Sequence, residues 1–210
     1  MAKNFVSNSS ESIRMFKSRW MEALSKVHYT VPLFIYIPVI CYFIYRSVTA
    51  GMHFLPLLGL FALGVLVWTV AEYILHRYVF HFVPSSSWGL RLHFVFHGVH
   101  HDYPKDRLRL VMPPSASIPL AFLFYFLFSL VFSTKAALWA FFPGFVLGYL
   151  IYDMMHYAMH HANFKSGLFK KIKDHHMLHH YSDMSKGYGV SSVLWDKIFG
   201  SDFPKSPKRS

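Results

Sequence analysis

The sequence predicts an all-α integral membrane protein, with four transmembrane helices arranged as two hairpins beneath a helical cap on one membrane face. Three observations carry that reading. Hydrophobic residues are 54% of the 210 and charged residues only 15%, against the roughly 25% charged of a soluble domain. Four apolar stretches, 31–48, 54–79, 115–132 and 136–160, each approach or exceed the ~20 residues a helix needs to cross a bilayer. Nineteen of the 21 lysines and arginines fall in segments that would share one side of that layer.

Residues 1–30 read as a polar cytoplasmic N-terminal segment, with no short apolar run and small-residue cleavage site to mark a signal peptide. The first span, 31–48, holds the single cysteine, Cys41, so neither an intrachain disulfide nor a cysteine metal site is expected. The short turn 46–53 pairs it with the second span, 54–79. As continuous helix that span would run ~39 Å against ~30 Å of hydrocarbon, so its end projects beyond the acyl chains. Residues 80–114 begin the cap, and Pro113-Pro114 close it before the third span, 115–132. The turn 133–135 makes the second hairpin with 136–160, residues 161–200 complete the cap, and 201–210 form a solvated tail. In lipid such stretches can satisfy their backbone only as helix, and the chain has too little other material to bury them in a soluble core.

Charge sets the orientation. Positive residues precede the first span (Lys3, Arg14, Lys17, Arg19, Lys26). Others follow the second (Arg77, Arg91, Lys105, Arg107, Arg109) and the fourth (Lys165, Lys170, Lys171, Lys173, Lys186, Lys197, Lys205, Lys208, Arg209). Only Arg46 and Lys135 occupy the two turns, so the positive-inside rule places both termini and the cap in the cytoplasm. The net charge of +11 is thereby accounted for by topology and anionic head groups. Nucleic acid is not needed.

Thirteen of the fifteen histidines lie at the cytoplasmic ends of spans two and four or beside them. They form four clusters: His76 and His81; His97, His100 and His101; His156 and His160; His176, His179 and His180. HxxHH occurs twice, and positions i, i+3 and i+4 share a helical face, so each triplet is expected to aim three imidazoles at a common region. His76 and His81 would sit ~140° apart on an ideal helix. Either the helix changes pitch there or the two serve different ions, and separate ions are favoured because ten imidazoles are too many for one. A lone histidine is usually a hydrogen-bonded or interfacial residue, as His28 and His53 are taken to be. Ten at one membrane face would repel one another if cationic, whereas shared metal accounts for neutral rings. His93, His161 and His175 fall outside the repeated spacing and read as support or surface residues. Imidazole suits zinc, copper, iron and nickel. Catalytic zinc typically takes three protein ligands at a single ion, so ten histidines around two ions fit redox iron better, and attack on an unreactive C–H bond needs a metal.

At these residues the chain resembles the fatty acid 2-hydroxylase family, within the larger membrane fatty acid hydroxylase and sterol desaturase group. The resemblance rests on Glu72-Tyr-Ile-Leu-His-Arg-Tyr-Val-Phe-His81, Leu92-His-Phe-Val-Phe-His-Gly-Val-His-His101, Arg109-Leu-Val-Met-Pro-Pro114 and Gly148-Tyr-Leu-Ile-Tyr-Asp-Met-Met-His156. It continues through His175-His-Met-Leu-His-His180 and Gly187-Tyr-Gly-Val-Ser-Ser-Val-Leu-Trp-Asp-Lys-Ile-Phe-Gly200. It implies a four-helix membrane hydroxylase domain over 31–200 with a di-iron site, zinc being acceptable to the same ligands. Metal binding carries over to His76, His81, His97, His100, His101, His156, His160, His176, His179 and His180. The implied reaction is O2-dependent, (R)-selective 2-hydroxylation of the acyl chain of a fatty acid or ceramide. Many eukaryotic members carry an N-terminal b-type cytochrome domain, for which residues 1–30 are too short. The resemblance therefore implies a separate electron carrier, a b-type cytochrome or ferredoxin-like protein. It favours a bacterial inner membrane, or the endoplasmic reticulum in a eukaryote.

Tyr152 and Asp153 stand four and three residues before His156 on its face of the helix. Each is read as a substrate contact or as a hydrogen-bond support to that ligand. Glu72, four residues before His76, has the same two readings, with support favoured. Trp88, Tyr103 and Trp195 read as interface anchors or cap packing. Within enzymes the alternatives are a related di-iron sterol or carotenoid oxidase or a desaturase. A metal transporter or sensor would require polar ligands at the membrane midplane, and the spans hold almost none.

Overall fold

The computed structural model describes residues 6–204, which contain helices and no strand. Lys3, Lys205, Lys208 and Arg209 of the charge asymmetry, and residues 205–210 of the expected tail, lie outside the described residues. Helix α1 (Arg19–Leu24) starts at Ser18, whose side chain accepts from the Met21 amide. Helix α2 (Val31–Thr49) carries Pro32 in its first turn, where the missing N–H costs no hydrogen bond. Helix α3 (Phe54–Ile74) runs without a break into a π-helical segment, Leu75–Phe80. Helix α4 (Ser87–His93), a second π segment (Phe94–Gly98) and α5 (Val99–Asp102) follow. The chain continues through α6 (Pro114–Ser129), α7 (Lys135–His161), α8 (Gly167–Tyr181) and α9 (Leu194–Ile198).

Three helices among the described residues are long and apolar enough to cross a membrane: α2, α3 with its π extension (Phe54–Phe80), and α7. The expected third span is instead a 16-residue apolar helix, α6, about 24 Å long. Its start is set by Pro114 and its end by the turn that delivers Thr134, the cap of α7, whose hydroxyl accepts from the Ala137 amide at 3.3 Å.

Helix α7 is the central element. Most of it is buried, whereas α2 and α3 expose most of their surface. Both pack mainly against α7 rather than against each other, so the core is organised around one helix and not as two self-contained hairpins. Small residues permit the closest approach. A Cβ on Gly144 would lie 1.9 Å from the Phe61 carbonyl oxygen, and one on Gly64 2.2 Å from that of Phe141. Gly144 and Gly148 are spaced four apart on α7, the pattern that lets membrane helices touch backbone to backbone. Around this contact Trp68, Phe141, Phe142, Phe145 and Tyr149 form an aromatic core. Tyr36 donates to Ser117 (2.8 Å) and Ser47 to the Ala136 carbonyl (3.0 Å), tying α2 to α6 and to α7.

The described part of the N-terminal segment is hydrogen-bonded to the cap. The Ser7 amide donates to the Asp102 carbonyl at 2.7 Å, and that of Val27 to Leu108 at 2.9 Å.

Candidate metal centre

The ten clustered histidines form two groups of five. His76, His81, His97, His101 and His179 make one, and His100, His156, His160, His176 and His180 the other; within each, the ligating atoms lie within 4.8 Å of one another. His76 and His81 share a group, which overturns the reading that they serve different ions. The pitch change is the reason. The π segment closes i→i+5 bonds, the His81 amide donating to the His76 carbonyl at 3.1 Å, and so returns the chain to the same face after five residues. π segments inside helices recur at functional sites for this reason.

The HxxHH triplets are also divided, contrary to the expectation of one target each. On a helix i and i+4 differ by ~40° and i+3 lies ~60° to the other side of i. The outer pair therefore converges and the middle ring looks away. His97 and His101 enter the first group while His100 joins the second; His176 and His180 enter the second while His179 joins the first. Each group thus takes a pair from one long helix, a pair from one triplet and the middle histidine of the other.

The donor geometry fits metal. Nε2 atoms approach at 3.2 Å (His76–His97), 3.0 Å (His97–His81), 2.9 Å (His101–His97) and 3.0 Å (His179–His81) in the first group. In the second they approach at 2.8 Å (His156–His100), 3.0 Å (His100–His180), 3.0 Å (His160–His176) and 3.1 Å (His180–His176). Ligands at right angles around an ion ~2.1 Å away would be ~3 Å apart. Tautomers agree: His76 Nδ1 donates to the Tyr188 carbonyl (2.5 Å) and His179 Nδ1 to that of Lys186 (2.6 Å). Each Nε2 lone pair is thereby left free to ligate.

Burial favours the neutral form of the rings in the cap. Burial, and then the like charge their neighbours would carry, hold His97, His100, His101, His176 and His180 well below the ordinary imidazole value. The same causes bring His81 down to about 2. Burial brings His179 to about 4, against the raising effect of the Lys186 carbonyl. Neutral imidazole is the ligating form.

Supporting residues are placed less simply than their spacing suggests. Glu72 hydrogen-bonds to the loop 190–191 and not to His76. It accepts from the amides of Val190 (2.8 Å) and Ser191 (2.7 Å) and from the Ser191 hydroxyl. It therefore supports His76 at one remove, by holding the loop whose Tyr188 carbonyl receives that ring. Asp196, which sequence reasoning left unassigned, anchors the same loop. It accepts from the amides of Tyr188 and Gly189 (both 2.8 Å) and the Ser201 hydroxyl (2.8 Å), and lies 3.2 Å from His175 Nε2. His175 thus belongs to this support, His93 lines a second cavity near His81, His97, His101 and His180, and His161 packs on Tyr157.

Asp153 accepts from the Met112 amide (3.1 Å) and the Tyr149 hydroxyl (2.9 Å) and does not bond His156. The Tyr152 ring lies 5.7 Å from that of His156. Both residues line a cavity of about 320 Å³ that also reaches His97 of the first group and His100 and His156 of the second. Its remaining wall is mainly apolar, with Phe80, Val95, Phe96, Val99 and Leu110 prominent. Among the outer aromatics, Trp195 donates to Thr69 (3.0 Å) and Trp88 is exposed.

Apolar helices crowned by two sets of imidazoles, with an apolar cavity opening on both, define a histidine-rich membrane oxidoreductase. The comparisons agree. The fatty acid hydroxylase family model matches residues 61–201. The dihydroceramide fatty acyl 2-hydroxylase FAH2 of Arabidopsis thaliana is 42% identical over 91% of this chain and 80% of its own length. The fatty acid 2-hydroxylase of Homo sapiens is 36% identical over 93% of this chain and 58% of its own. The solved structure of full-length scs7p, in which only the hydroxylase domain is visible, matches with a TM-score of 0.84 and 36% identity, covering 90% of this chain and 72% of that one. The chain belongs to the fatty acid hydroxylase family.

Proposed function

We propose that the protein is an O2-dependent di-iron hydroxylase that places a hydroxyl on carbon 2 of the acyl chain of a fatty acid or ceramide. The observation that carries this reading is the mainly apolar cavity of about 320 Å³ that touches histidines of both groups: a lipid chain there lies beside the reacting centre and out of water. Within the reading, the ten histidines bind two ions, five to each. When bound, the paired ions supply the activation of dioxygen against a C–H bond that side chains lack.

The chain's own residues do the rest. The apolar wall excludes water from the acyl chain. Tyr152 and Asp153, polar residues of that wall beside His156, orient the carbonyl end of the lipid so that its neighbouring carbon faces His97, His100 and His156. Position is then selected by placement. The lipid reaches the cavity from the bilayer, the cap faces the cytoplasm, and α6 completes a fourth crossing. Electrons arrive from a separate b-type cytochrome or ferredoxin-like carrier. A plant relative is matched over most of its own length, so the brevity of residues 1–30 no longer favours a bacterial membrane over the endoplasmic reticulum.

The test is mass spectrometry of lipids incubated with purified, iron-loaded protein, reductant and oxygen. A 2-hydroxy acyl product that requires all three supports the assignment; hydroxylation at another carbon, or a double bond, would replace it with the corresponding relative reaction.

A further inference from the structure

The cavity has one wall that neither the long helices nor the cap supplies. Met15, Phe16, Met21 and Leu24 reach it from residues 12–27, a strap that includes α1. The strap is pinned by a buried cation. Arg109, only 7% exposed, donates through Nη2 to the Ile13 carbonyl and to Glu22 Oε1, both at 2.7 Å, and through Nη1 to the Ser25 hydroxyl at 2.8 Å. Glu22 in turn accepts from the amides of Met15 (2.9 Å) and Phe16 (3.1 Å), two residues whose side chains line the cavity. Asp106, which is buried, lies 3.4 Å from Arg109 Nε and accepts from the Ser12 hydroxyl. Charges so far from water persist only where partners hold them in a fixed arrangement, so the position of the strap is specified. On its outer side Trp20, Met21 and Leu24 are exposed. The last two therefore form an apolar rim where the cavity meets the surroundings.

We propose that this strap is a specificity-determining wall of the lipid site: Phe16, Met21 and Leu24 contact the acyl substrate, and Arg109 is the positioning residue that keeps them there. This rests on the lipid reading given above. It predicts that the size of the side chains at 16, 21 and 24 sets which acyl lengths fit, while the histidine groups are untouched.

The test uses the full chain in lipid nanodiscs and a long-chain ceramide bearing a diazirine in its acyl chain, with photoadducts mapped by peptide mass spectrometry. Adducts on residues 15–24 that unlabelled ceramide competes away are expected. Glu22→Gln, which keeps the shape and removes the charge, should reduce those adducts several-fold relative to adducts at Val99 and Tyr152. Leu24→Trp should shift the preferred substrate toward shorter acyl chains several-fold while leaving bound metal unchanged. Competed adducts at Val99 and Tyr152 with none on residues 15–24 would overturn the strap assignment and leave the lipid reading standing. No competed adduct anywhere would overturn both.

Discussion

A histidine's position along a helix decides which group of rings it can join, and the two HxxHH triplets make this concrete. His179 and His100 are the middle rings, each delivered to the group opposite its own pair. Loss of either should therefore empty one site and spare the other. His179→Ala and His100→Ala are each expected to halve the bound metal measured by plasma mass spectrometry and to abolish hydroxylated product; unchanged metal content would remove that ring from the ligand set. The clustering was legible from spacing, because i, i+4 periodicity is local. The division was missed because sharing a helical face was read as sharing a target, although i+3 and i+4 lie on opposite sides of i, and nothing in His76-Arg-Tyr-Val-Phe-His81 announces a π turn. Asp196 was hidden for another reason: its partners are loop amides and a distant hydroxyl, which only the folded chain brings together. Fully buried and accepting from Tyr188, Gly189 and Ser201, it should cost about 3 kcal/mol when replaced by Ala, the usual penalty for stranding buried donors. Thermal unfolding of Asp196→Ala with and without chelator measures this, and a change within experimental error would contradict the anchoring role.

At the scale of elements, two contacts decide whether the site is assembled at all. The α3–α7 crossing brings backbone to backbone at Gly64 and Gly144, and there is no flexible side-chain tip to move aside. Gly144→Leu should therefore prevent folding to a monodisperse state, seen as aggregation in size-exclusion chromatography, whereas Gly59→Leu, with open space around it, should behave as the parent. The Gly144-to-Gly148 spacing went unread in the sequence, because it marks a packing face only once the helix it meets is known. The strap is the second contact. Burial alone would raise the Glu22 carboxyl, but the bonds from Lys26, from the amides of Phe16 and Met15, and the charge of Arg109 outweigh it. Together they bring it from 4.5 down to about 2. A carboxyl lowered on folding contributes stability that is present above its ordinary value and lost as pH falls through the folded one. The strap should thus loosen between pH 4.5 and about 2. A spin label on Ala23, in a Cys41→Ser background, should gain mobility across that window, and in Glu22→Gln should be mobile at every pH. A label equally immobile at both ends would show that the pin does not depend on this carboxylate.

For the whole molecule, topology follows from the two long helices and the site they meet. His156 and His160 on α7 share a group with His100 of α5 and His176 of α8, so the C-terminal end of α7 lies with the cap. Helix α7 has 27 residues and runs about 40 Å, long enough to carry Lys135 to the opposite face in the proposed topology. In the four-crossing topology proposed above, residues 114–134 traverse the same layer in the other direction, although α6 supplies only 16 helical residues. That proposal requires a helix of about 24 Å to be accommodated in ~30 Å of hydrocarbon by local thinning of the bilayer at modest cost, with the turn after Ser129 covering the remainder. This is why α6 looked like a full span in the sequence: the apolar run continues through the turn to Phe132, and hydropathy does not register where helical hydrogen bonding stops. Single cysteines in the Cys41→Ser background give the check. Lys171→Cys and Lys105→Cys should react with an impermeant thiol reagent only from the cytoplasmic side, and Ala50→Cys and Ser133→Cys only from the other. Labelling of Ser133→Cys from the same side as Lys171→Cys would mean that α6 re-enters without crossing. The cap could then meet the end of α7 only if that helix, too, were oriented differently from the one that gathers the ten histidines.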